Sequence, residues 1–195
     1  MAQPIQPPPP EFSANSLAAL ARYAETGTLP PVDQWQPEHC GDSEMRIAAD
    51  GTWYHQGSPI GRAAMVRLFS TVLRREPDGS HVLVTPVEKL EIAVDDAPFT
   101  AVELKTEGSR ENRRLAFRLN TGDIVVAGPE HPLRFASLGD GPHPYLHVRG
   151  TIGNGLEALI ARPVYYELAE LAIAERGDPP ALWSDGARFP LDTAS

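Results

Sequence analysis

A single cysteine, Cys40, and a shortage of positive charge, 17 Lys and Arg against 26 Asp and Glu in 195 residues, exclude several classes of protein at once. One thiol cannot form a disulfide within the chain or build a zinc site of several thiolates. That suits a reducing compartment, and a cytoplasmic location is expected. The formal charge of -9 and a pI near 5.1 work against nucleic-acid binding, because a phosphate backbone is met by clustered Lys and Arg. Only RENRR, residues 110 to 114, is locally basic, and it reads as a solvated hairpin tip. No apolar run approaches the roughly eighteen residues that span a bilayer. MAQPIQPPPPEF carries neither a basic nor an apolar leader region, so no membrane association is expected.

Proline, in contrast, is abundant: its 20 copies are about twice the usual share and predict many loops and edge strands. Residues 1 to 14, with prolines at positions 4 and 7 to 10, are expected to form a disordered, polyproline-like arm, a conformation that could dock on a protein partner. The rest divides into an N-terminal α+β half over 15–100 and a C-terminal α+β half over 101–195, packed as two halves or as one compact unit.

NSLAALARYAETG reads as a short helix between an N-cap at Asn15 or Ser16 and a stop at Gly27. From Met45 the apolar period becomes two, with a hairpin turn at Asp50-Gly51 and a return through Trp53 and His55. RAAMVRLFSTVLRR has Met65, Leu68, Phe69, Val72 and Leu73 at helical spacing. Five short strand-like segments follow from HVLVTP to DIVVAG, with loops too short for crossover helices, so antiparallel pairing is expected. A Gly- and Pro-rich loop over 128–143 leads to YLHVRG and GLEALIA, and then to the helix RPVYYELAELAIAER, with Pro163 near its first turn and Tyr165, Leu168, Ala169 and Ala172 inward. A strand, proline, helix, turn, strand pattern occurs in TWYHQGSPIGRAAMVRLFSTVLRREPDGSHVLV and again in LEALIARPVYYELAELAIAERGDPPALWS. The expected class is α+β, with mostly antiparallel sheets, a few helices and two structurally similar halves.

PEHCGDSEMRI, DGTWYHQGSPIGR, VRLFSTVLRRE, LVTPVEK, DDAPF, GPEHPLRF, YLHVRG and LEALIARPVYYEL together resemble a bacterial family known as domain of unknown function 1285. The resemblance spans about residues 15 to 192. It implies an α+β protein with a duplicated unit, and a role as a ligand-binding or signal-transduction module. It supplies no catalytic residues, so the candidate site rests on the chemistry of these residues alone.

GSPIGR directly precedes the strongest amphipathic helix. Backbone N–H groups around Gly61, the helix dipole, the Ser58 hydroxyl and the Arg62 guanidinium could together hold an anion. Asp42 and His55 are expected nearby, with His39. The bland alternative is a β-to-α turn in which Gly57 and Gly61 relieve strain and Arg62 pairs with a surface carboxylate such as Asp42. It is no P-loop, for the lysine is missing. Two enzymatic readings compete: a Cys40 nucleophile with His55 or His131 as base, and a metal held by His39, Asp42 and His55. No familiar cysteine or serine-hydrolase signature surrounds either. His143 and His147 are four apart but in a segment that reads as extended rather than helical. PEHPLRF, with His131 and Arg134, could form a second wall. The expectation is a non-catalytic regulatory module for a small polar or anionic ligand, with no cofactor.

Overall fold

The computed structural model describes residues 29–138, 141–175 and 180–191. The proline arm and the helix expected over 15–27 lie outside the described residues. Two compact units divide the chain, one from Met1–Ala48 and Thr52–Asp95, the other from Ala49–Gly51 and Asp96–Ser195.

The first unit is a six-stranded sheet built from two three-stranded meanders. The first meander is β1 (His39–Ile47), β2 (Trp53–His55) and β3 (Ser58–Pro59); helix α1 (Ala63–Thr71) leads to the second, β4 (Leu73–Arg75), β5 (His81–Val84) and β6 (Glu88–Val94). Strand order is β3-β2-β1-β6-β5-β4, and β1 and β6 run parallel in the middle. The period of two read from the sequence is real: Ser43, Met45 and Ile47 are buried while Asp42, Glu44 and Arg46 are exposed. The Asp50-Gly51 turn returns the chain so that Met45 faces His55 and Ile47 faces Trp53. A second tight hairpin, not read from the sequence, turns at Gln56 (φ 48) and Gly57 (φ 78). Positive φ at both central residues gives a turn whose twist matches that of the strands it joins.

Helix α1 is shorter than the apolar spacing predicts. The Ser70 and Thr71 hydroxyls bond back to the Arg67 and Leu68 carbonyls, at 2.8 and 2.6 Å, and Val72 N–H tightens onto Phe69 O. Side-chain competition of this kind weakens a helix end. Val72 and Leu73, read as helical, therefore leave the helix and enter the core at β4, both at 0% exposure.

The second unit repeats the sheet. Its strands are β7 (Phe99–Glu107), β8 (Arg114–Leu119), β9 (Ile124–Val126), β10 (Leu133–Leu138), β11 (Gly141–Arg149) and β12 (Leu156–Ile160). The order is β10-β11-β12-β7-β8-β9, again with the first and last strands of two meanders parallel at the centre. Helix α2 (Arg162–Ala174) follows β12, with Pro163 in its first turn. Its buried residues are Val164, Leu168 and Ala172, so the inward stripe is shifted from the expected Tyr165 and Ala169. The hairpin β13 (Ala181–Ser184) and β14 (Ala187–Pro190) completes the unit. The basic RENRR run sits at the exposed β7–β8 connection.

The halves are similar in a different frame from the one the sequence pattern suggests. The pattern sets helix on helix, whereas the sheets set β1–β6 on β7–β12. In that frame α1 corresponds to the loop between β9 and β10, and α2 is an addition after the sixth strand.

Phe117 on β8 is fully buried and Ile124 on β9 is 62% exposed. Phe117→Ala should lower unfolding free energy by about 3–5 kcal/mol and Ile124→Ala by less than about 0.5 kcal/mol, as measured by urea denaturation.

Candidate functional site

The β2–β3 hairpin and the start of α1 bring together four of the six expected site residues. His55 and Ser58 are direct partners across the tight turn, and Gly61 and Arg62 follow at the helix entry. Ile60 N–H donates to the Trp53 carbonyl at 2.8 Å and so pins this segment to β2. Arg62 occupies the N-cap in an extended conformation, and its side chain makes no capping hydrogen bond. The first turn of α1 contains no acid, so no carboxylate of that turn offsets the dipole's positive end. Ser58, Gly61, Ala63 and Ala64 are exposed. A Cβ added at Gly57 or Gly61 would meet nothing within 4 Å. The junction is therefore open, with helix-entry amides that precede the first intrahelical bond.

His39 and Asp42 belong elsewhere on β1. His39 lies beside Glu88 and Asp42 beside Glu91, while His55 lies beside Met45. Five β6 positions, Glu88 to Ala93, separate the partners of His39 and Arg46, about 16 Å of strand. Asp42 points to the exposed face, opposite to the side of Met45 and His55. Its carboxylate accepts the Glu44 N–H at 2.8 Å, holding Glu44 at φ 53 where the β1–β6 register shifts. Glu44 is in turn tied to the hairpin: its carboxylate accepts the Gln56 side-chain amide and its carbonyl accepts Gln56 N–H at 3.0 Å. Cys40 is exposed on the face opposite to His55, so the register does not bring that imidazole to the thiol. The three residues of the metal reading are spread along and across the sheet. Among the described residues, no three His, Cys, Asp or Glu side chains are grouped to hold a metal ion.

Trp53, at 1% exposure, has an indole N–H with no hydrogen-bond partner among the described residues. Alternation places its side chain on the same face of β2 as His55.

The second unit carries a polar cluster of which sequence reasoning named His131, Arg134, His143 and His147, the last two in a segment read as extended, but not Tyr145, Glu157 or Asp96. His143, Tyr145 and His147 alternate along one face of β11, flanked by Arg134 on β10 and Glu157 on β12. Arg134 forks onto Glu157 at 3.0 and 2.7 Å and lies 4.2 Å over the Tyr145 ring. Tyr145 donates its hydroxyl to Asp96 at 2.8 Å. Burial first, then that carboxylate, pushes the phenol above its ordinary pKa and keeps it protonated. The Glu157 hydrogen bond raises Arg134 further. Burial, with His131 close by, holds His147 below the usual imidazole range. The alternation of YLH beside the glycines of RGTIGNG was the available signal for this cluster.

A chain of two compact units, each a six-stranded mixed sheet made of two meanders around a parallel centre, is a tandem α+β protein. Residues 30–97 match the domain described as "Domain of unknown function (DUF1285), N-terminal domain", and residues 98–191 match "Protein of unknown function (DUF1285), C-terminal domain". The chain belongs to the DUF1285 family. It is similar to a DUF1285 family protein from Silicibacter pomeroyi DSS-3, with 48% identity and a TM-score of 0.79 over 92% of this chain and 96% of that one. A DUF1285 family protein from Shewanella baltica OS155 is similar at 25% identity and a TM-score of 0.50, over 65% of this chain and 90% of that one. No curated protein matches.

His81 on β5 is held at a pKa of about 4 by burial and then by Arg75. Because its folded value lies below the unfolded one, the neutral ring carries no penalty above about pH 6.5, and stability is lost as pH falls from there toward 4. The full shift amounts to about 3 kcal/mol; solvent screening at this part-exposed ring reduces it to about 1–2 kcal/mol. His81→Gln should flatten that part of the stability–pH curve measured by denaturant unfolding between pH 7 and 4.

Proposed function

We propose that the chain is a non-catalytic, cytoplasmic ligand-binding module with a regulatory role, and that it takes a small anion at the β3–α1 junction. The observation that carries this reading is the helix entry, where an arginine stands at the N-cap without capping the helix. A cap of Ser, Thr, Asp or Asn is worth about 1 kcal/mol; its place is taken here by a cation beside the positive end of the dipole. A bound phosphate, sulfate or carboxylate would be met by the open amides and the guanidinium together. Ser58 supplies a hydroxyl, and His55 stands opposite it in the hairpin. The buried indole N–H of Trp53 on the same strand has no hydrogen-bond partner among the described residues.

The corresponding crossover in the second unit supports the assignment by contrast. There Gly128 N–H donates to His131 O at 3.1 Å and His131 N–H to Gly128 O at 3.2 Å, so the turn uses its own amides. Only the first unit leaves a helix entry at this point of the sheet frame.

Phosphate, sulfate and a nucleoside monophosphate should each be tested by thermal shift. A ligand at a hundredfold its Kd should add about 2.7 kcal/mol and raise the melting temperature. Arg62→Ala should weaken binding by at least about tenfold, since a hydrogen bond to a charged group contributes about 1.5–3 kcal/mol. An unchanged melting temperature with all three anions, or an equal shift in the Arg62→Ala protein, would overturn the reading.

A further inference from the structure

His147 is a clasp for two loops of the second unit. Its ring is 5% exposed, and its Nε2 donates to the Gly150 carbonyl at 3.2 Å. Its backbone N–H donates to Pro132 O at 3.0 Å, and its carbonyl lies 3.1 Å from His131 Nδ1, which donates to it as the N–H tautomer. The loop over 150–155 closes directly over the ring: a Cβ at Gly155 would collide with His147 Cε1 and with the Arg149 and Thr151 carbonyls. Gly150 and Gly153, at φ 87 and 88, supply the turns that this close approach requires. On the other side the 128–131 turn delivers a second imidazole, with the ring centroids 6.3 Å apart.

We propose that protonation of His147, beside the His131 ring, releases the 150–155 loop from the 128–131 turn, so that this end of the second unit acts as a pH-operated latch. A charged His147 ring, almost wholly buried and with a second imidazole 6.3 Å away, sits in a setting that solvates it poorly. The nearby groups offset the new charge only in part: the Gly150 carbonyl and Glu157 favour it, and burial and His131 outweigh them. The 150–155 loop contains no ionisable residue. From β12 the facing group is Glu157, whose two oxygens are already engaged by Arg134 of β10. From β11 itself it is Tyr145, a phenol held neutral and bonded to Asp96. The Gly150 carbonyl favours the charged ring, but burial and His131 oppose it, and burial is the largest influence. The latch is thus closed while His147 is neutral and opens as pH falls below the ordinary imidazole range.

Hydrogen–deuterium exchange of the full chain, corrected for the intrinsic pH dependence of exchange, tests this. Between pH 7.5 and 5 the amides of 150–156 should lose protection, because the folded His147 binds its proton less readily than the released one, while those of β8 keep theirs. Unchanged protection at 150–156, or loss in step with β8, would overturn the proposal. His147→Gln should remove the pH dependence, and a persisting dependence would also overturn it. If that variant does not fold, His131→Gln decides: it keeps a donor for the His147 carbonyl and removes the repelling charge, so it should move the opening to lower pH. An unmoved transition counts against the latch.

Discussion

The parallel pair at the centre of each sheet is the constraint on which the rest of each unit depends. β1 meets β6, and β12 meets β7, only after the chain has completed two meanders. A parallel pair cannot be joined by a tight turn, and here everything between its members is the connection. The central strands also carry much of the core: Met45, Ile47, Leu90 and Ile92 in one unit, Phe99, Ala101, Ala158 and Ile160 in the other, each at 5% exposure or less. Each sheet is therefore closed by contacts remote in sequence, whose loop-closure entropy is overcome only when the apolar faces are buried together.

This constraint also explains why the crossovers are where the units diverge. The third strand of the first meander and the first strand of the second are the two edges of the sheet, so the chain must cross the sheet between them. The crossing contributes no ladder hydrogen bonds and can vary without disturbing the paired strands. The first unit crosses with a nine-residue helix, the second with a short self-bonded turn. Chemistry grafted onto a common frame is found at such positions.

Local patterns were legible in the sequence and distant pairings were not. The alternation Met45, Ile47 and the Asp50-Gly51 turn place β1 and β2, because a period of two and a hairpin signal are written in neighbouring residues. The α+β class and the two halves follow from the same local signs. The parallel closure leaves no such sign, because the partners of His39 or Phe99 lie in segments far along the chain. Val72 and Leu73 satisfy the helical period and yet leave the helix, Val72 at its C-cap and Leu73 in a strand, since Ser70 and Thr71 bond back to carbonyls one turn earlier and β5 offers a ladder partner to Leu73. The repeat was misframed for a related reason: helices carry the stronger local signal, and the two helices hold different places in the duplicated frame. His55, Ser58, Gly61 and Arg62 are gathered by a short stretch of chain and could be read together. His39 and Asp42 are close in sequence to Cys40, but strand geometry sends their side chains to different rows and faces.

Two departures from local rules remain in otherwise consistent segments, and they differ in kind. Glu44 adopts a positive φ that a side chain disfavours, but its strain is compensated at once by the Asp42 carboxylate, the Gln56 amide and the Gln56 N–H. That departure re-aims the strand and is complete within itself. The N-cap of α1 is not completed in this way: Arg62 is a poor cap, no acid follows it in the first turn, and the helix is only nine residues long, so each lost contribution weighs more on its stability. α2 begins without a side-chain cap as well, but Pro163 in its first turn removes one of the amides that would need a partner. A local cost at the start of one short helix, at the crossover that is helical, fits the anion site proposed above, whereas the bulge at Glu44 is satisfied within itself.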